Sequence, residues 1–122
     1  LFNFLYSEAL LKLTLCIITP KIAKAIKEYC PNVYFLCIKI WSKEHMTSII
    51  PPICELSSLK TLKIEVDFID FQIYAGSLVE KLGDHLKFTE DLNFNFEIEL
   101  SSFEYFTNNC KADLKKFILI DI

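Results

Sequence analysis

The sequence predicts an α/β fold: a solenoid in the form of a partial horseshoe, with about five parallel strands joined by helical return segments. Three observations predict it. An apolar pattern of the form L-x-x-L-x-L begins at Leu10, Val33, Leu59, Thr89 and Leu114, at offsets of 23, 26, 30 and 25 residues. Within its clearest copy, Leu59, Leu62, Ile64 and Val66 set Thr61, Lys63 and Glu65 on the opposite side, the period-two signature of a half-buried strand. The segments between copies carry helix start and stop signals. Strand, helix, strand at that interval requires parallel pairing, because each crossover returns the chain to the same end of the sheet.

Taken in order, the first strand carries Leu10, Leu13 and Leu15, and Thr19-Pro20 then caps a helix with Ile22, Ala23, Ile26 and Tyr29 at helical spacing until Pro31 stops it. Val33, Leu36 and Ile38 make the second strand. Ser42 caps a short helix running through Ile50, which Pro51-Pro52 is expected to end. The third strand is the clearest copy. Asp70 opens a longer helix with Leu78, Val79 and Leu82 on one face and Gly83 as its C-cap. The fourth unit keeps Leu92 and Phe94, and a capping box of Ser101 and Glu104 starts a helix that turns Phe103, Phe106 and Cys110 inward. Leu114, Phe117 and Leu119 form the last strand. The inward rows of the stack are Leu13, Leu36, Leu62, Leu92 and Phe117, then Leu15, Ile38, Ile64, Phe94 and Leu119.

With 122 residues and 52% apolar content, the chain supports one core, so residues 1–122 are read as one domain. Its thirteen basic residues are all lysine, interleaved with sixteen acidic ones. Arginine, which reads guanine and phosphate through two parallel hydrogen bonds, is absent, so no nucleic-acid partner is expected. No window of about eighteen residues is free of charged or strongly polar groups, which argues against a membrane span. Five cysteines without a C-x-x-C pair or a glycosylation acceptor favour a reducing, intracellular compartment, cytoplasmic or nuclear. The apolar opening Leu1-Phe2-Asn3-Phe4-Leu5 lacks the basic region of a signal peptide. It and the apolar strand at Ile122 lack the polar caps of a repeat array, so the chain is expected to be a fragment of a longer one.

Cys30-Pro31-Asn32-Val33-Tyr34-Phe35-Leu36 places a cysteine at the end of a helix just before a strand, and Asn109-Cys110-Lys111-Ala112-Asp113-Leu114 repeats the arrangement. With Leu56-Ser57-Ser58-Leu59-Lys60-Thr61-Leu62, these segments resemble the cysteine-containing, degenerate leucine-rich repeats of fungal F-box proteins. Unit lengths of this order also suit leucine-rich repeats. The chain departs from the regular pattern after the last template position, where Ile18, Trp41, Asp67, Glu97 and Ile122 replace the expected Asn or Cys. No F-box helices are visible. The resemblance implies substrate selection for an SCF-type ubiquitin ligase, with a Skp-type adaptor held through an F-box outside this sequence.

Candidate functional residues lie on the outward side of the strands. They are Lys12, Thr14, Phe35, Lys39, Thr61, Lys63, Glu65, Asp91, Asn93, Asn95 and Lys116, a face for a protein substrate or partner. Each is also accounted for by polar-out alternation, except Phe35, whose ring on that face reads as a binding anchor or as a residue covered by a missing segment. Cys37, His45 and Cys54 are spaced too widely for zinc, which takes close ligand pairs. Asp84 and His85 could make an oriented base, yet no nucleophile motif accompanies them, and one turn of surface helix explains both. Glu97 and Glu99 read as outward alternation at a strand exit. Two glycines, Gly76 and Gly83, cannot form a phosphate-cradling loop. No enzyme activity, cofactor or metal is expected. A stand-alone scaffold or sensor is the alternative, and an α/β enzyme with a sheet-end pocket of convergent polar groups is the third reading.

Overall fold

The computed structural model describes residues 11–16, 18–67 and 70–118. The five repeated patterns become five parallel strands, β1 (Lys12–Leu15), β2 (Phe35–Ile40), β3 (Thr61–Val66), β4 (Asp91–Phe94) and β5 (Lys116–Ile118). They lie side by side in the order of the chain, β1-β2-β3-β4-β5. Between them run helices α1 (Pro20–Tyr29), α2 (Lys43–Met46), α3 (Ile50–Cys54), α4 (Phe71–His85) and α5 (Leu100–Asn109). The fold is α/β with a parallel sheet.

Pairing register follows the apolar pattern. Leu13 faces Leu36, Leu36 faces Leu62, Leu62 faces Leu92 and Leu92 faces Phe117; in the second row Leu15, Ile38, Ile64 and Phe94 align, while Leu119 lies outside the described residues. A one-residue slip would turn each of these side chains to the opposite face, so burial of one face fixes the pairing. Leu36, Ile38, Leu62, Ile64, Leu92 and Phe94 are buried at 0–1% exposure, together with Ile26 of α1, Ile53 of α3, Leu78 and Leu82 of α4 and Phe106 of α5. All belong to one core. Helices α1, α3, α4 and α5 pack in succession, each against the next, and among the described residues no helix covers the other face of the sheet.

Helix α1 begins as expected: the Thr19 hydroxyl accepts the Ile22 N–H at 3.3 Å and Pro20 opens the first turn. Three expectations about the other helices are corrected. Ser42 does cap a helix, its hydroxyl accepting the Glu44 N–H, but α2 ends at Met46, and Pro51-Pro52 starts α3 instead of ending its predecessor. A proline has no N–H to lose in a first turn, where that donor would be unpaired anyway. Gly83 is not a C-cap. It lies inside α4, buried, where an added Cβ would stand 3.2 Å from the Cα of Phe106 in α5, so its use is close helix approach. Ser101 and Glu104 form no capping box, because α5 starts at Leu100 with Glu99 as an N-cap that makes no side-chain bond. The neighbouring Ser102 is buried and donates to Glu80 of α4 at 3.3 Å. Asp70 precedes α4 at φ 67°, the left-handed region tolerated by Asp, and likewise makes no side-chain cap.

Candidate functional site

The open face of the sheet is built by the outward half of each strand. Period-two geometry sends every second side chain there, and parallel register lines those side chains up across strands. One row runs Lys12, Phe35, Thr61, Asp91 and Lys116; the next runs Thr14, Cys37, Lys63, Asn93 and Ile118. Both rows agree with the sequence. The third row is shorter than expected. Lys39 and Glu65 face each other, while Cys16 and Asn95 lie past the ends of β1 and β4, and Ile120 lies outside the described residues. Asn95 does not simply project outward: its side-chain oxygen accepts the Val66 N–H at 3.0 Å.

That bond is one of three in which a side chain reaches a backbone group of the neighbouring strand-and-helix segment. At the carboxyl ends of the strands, the Trp41 indole N–H donates to the carbonyl of Cys16, and Gln72 donates to the carbonyl of Glu97 at 2.9 Å. Side chains from neighbouring units thus satisfy backbone groups that the turn leaves unpaired. The amino ends are tied by charge. Glu90 accepts from Lys60 at 3.2 Å and from Lys115 at 3.3 Å, and the Lys60 bond, followed by that to Lys115, holds its carboxyl below the usual carboxylate range.

Phe35 is the centre of the open face. Its ring is half-buried on β2, with the Lys63 ammonium 5.5 Å and the Lys12 ammonium 5.9 Å from its centroid. Lys12 also lies 5.8 Å from the Tyr34 ring, and Lys39 lies 4.9 Å from that of Trp41. Such contacts are worth about 0.5–1 kcal/mol each at exposed sites, and here they hold long lysine side chains in place. Asp91 is occupied differently, accepting from the Thr61 hydroxyl at 3.4 Å. Cys37 sits among these groups, its thiol pushed up by burial and then by the Glu65 carboxylate, which leaves it protonated and a poor nucleophile.

The other residues considered from sequence do not converge. Cys37 is on the open face, whereas Cys54 is buried in the helical layer with its thiol pushed up to about 12, chiefly by burial. The Asp84 carboxylate accepts from the Tyr105 hydroxyl at 2.7 Å, a bond that raises the Tyr105 phenol. Adjacency in the chain suggests His85 as the partner of Asp84; the partner among the described residues is Tyr105 from the next helix, which spacing does not reveal. Glu97 and Glu99 are exposed beyond β4.

A shallow depression of about 550 Å³ lies at the carboxyl end of β3 and β4, lined in part by Asp67, Asp70, Gln72, Asn95 and Glu97. Two of its polar groups, Asn95 and Gln72, are already bonded to backbone. Open α/β sheets bind ligands where strand order reverses and neighbouring helices part. Among the described strands the order β1-β2-β3-β4-β5 contains no reversal.

Comparison with family models, curated proteins and solved structures found no match. Among the described residues, no helix is long and apolar enough to cross a membrane.

Proposed function

We propose that this chain is a leucine-rich-repeat-like segment that binds another protein on the open face of its sheet. The observation that carries the reading is the row Lys12, Phe35, Thr61, Asp91 and Lys116, one outward side chain per strand in continuous register. Parallel pairing fixes the spacing of these groups before a partner arrives, so little ordering cost opposes association. Lys39, Lys63, Glu65 and Asn93 extend the same surface, and Thr14 borders it on β1. Catalysis is assigned to partners and not to this sheet.

Similarity of the segments around Cys30 and Cys110 to F-box repeats supports a more specific role, substrate selection for an SCF-type ubiquitin ligase. Affinity purification of the full-length protein from its own cells tests this. Recovery of a Skp-type adaptor is the expected result. Recovery of other partners without that adaptor would favour the stand-alone scaffold, and leave binding by the open face intact.

A further inference from the structure

We propose that the surface over β1, β2 and β3 receives an extended polypeptide segment in which Asp or Glu stands beside an apolar side chain, with the carboxylate seated between Lys12 and Lys63 above Phe35. This rests on the reading of the open face as a protein-binding surface and names the chemistry of the partner. Among the described residues four lysines pair with a carboxylate: Lys27 with Glu55, Lys39 with Asp67, and Lys60 and Lys115 with Glu90. Lys12 and Lys63 are set apart by a shared ring. Among the described residues neither forms an ion pair, and both are drawn over the one half-buried ring of Phe35. In a chain whose net charge is −3, two converging ammoniums without a carboxylate form a local site of opposite sign.

The nearby acids do not fill it. Asp91 is bonded to Thr61, and Glu65, two residues along β3 from Lys63, forms no ion pair with it among the described residues. An incoming carboxylate would be attracted by two cations at once, and an adjacent apolar side chain would cover the Phe35 ring and exclude water from the charge pair, where electrostatic complementarity selects partners. Trp41 offers a second contact. It shares the alternation of Phe35 and Lys39, is 47% exposed, and has its indole held by the carbonyl of Cys16. Six residues of strand rise separate it from Phe35, about 20 Å, so an extended segment of about six residues lying along β2 reaches both rings.

The test is selection of random dodecapeptides on the immobilised 122-residue chain, followed by fluorescence anisotropy of the enriched peptides. Enrichment of Asp or Glu next to apolar residues is expected. Lys12→Glu/Lys63→Glu should then weaken binding by about tenfold or more, as loss of a paired charge does, and Lys21→Glu/Lys24→Glu on the exposed side of α1 should leave it unchanged; circular dichroism confirms folding of each variant. Binding that survives the Lys12 and Lys63 reversal, or falls equally with the α1 reversal, overturns the proposal. Enriched peptides that need Phe35 but carry no acidic excess overturn the acidic partner while sparing the open face as a binding surface. Failure to enrich any peptide counts against both.

Discussion

Leu62 and Lys63 are neighbours in the chain and occupy opposite environments, one at 0% exposure in the core and the other on the open face. Leu62→Ala removes packed methyl groups from the centre of the sheet and should cost about 2–5 kcal/mol. Lys63→Glu gives up contact with the Phe35 ring and should cost less than about 1 kcal/mol, while altering partner binding. Urea unfolding of both variants checks this, and equal losses would mean the faces are reversed. Cys54 makes a pH-dependent contribution. Burial pushes its thiol up to about 12 in the folded protein, whereas an unfolded cysteine ionises near about 8.5. A folded value raised above the unfolded one contributes stability that is fully present below about pH 8.5 and is lost as pH climbs toward 12. Cys54→Ala should therefore show a shallower fall in urea midpoint between pH 8 and pH 10 than the parent chain, and identical slopes would refute the assignment.

At the scale of elements, the strands were more legible than the helices. A strand here repeats one pattern, and each copy of L-x-x-L-x-L supports the others, so even the weak copy at Thr89 falls in place, with Thr89 buried at 2% where Leu59 and Val33 are buried in theirs. Helix ends depend on single residues whose meaning changes with position. Pro51-Pro52 reads as a stop from the left and as a start from the right, and only packing of Ile50 and Ile53 into the core decides for the start. Ser101 and Glu104 had the spacing of a capping box, but burial of Ser102 against α4 sets where α5 begins. Gly83 looked like a terminator because its tertiary neighbour, Phe106, lies 23 positions away by number. Its substitution separates the two accounts. Gly83→Ala would stabilise an ordinary helix interior by about 0.4–1 kcal/mol, but here the new methyl meets the Phe106 backbone at 3.2 Å and its ring at 3.3 Å. A lower melting temperature is expected, with a loss of about 1–3 kcal/mol from overpacking; a rise would show that α4 and α5 separate freely.

For the whole molecule, the rows of the candidate face could be written down from sequence because parallel register carries one strand's alternation to the next. What could not be read was which side chains are already engaged. Asn95 was grouped with the outward residues, yet it serves the backbone of β3, and the pairing of Asp91 with Thr61 or of Trp41 with Cys16 joins units more than two dozen residues apart in the chain. Polar side chains choose partners by position in space, and spacing along the chain carries no record of it. The order of the strands has a mechanical consequence. Since β1 through β5 meet only their neighbours in the chain, no late contact clamps the first strand to the last. Under tension applied at its two ends, the protein should therefore come apart like a stack lifted one card at a time. An optical-trap record should show a series of small extensions at modest force, whereas one large rip would reveal a cooperative lock that this sheet does not contain among its described strands.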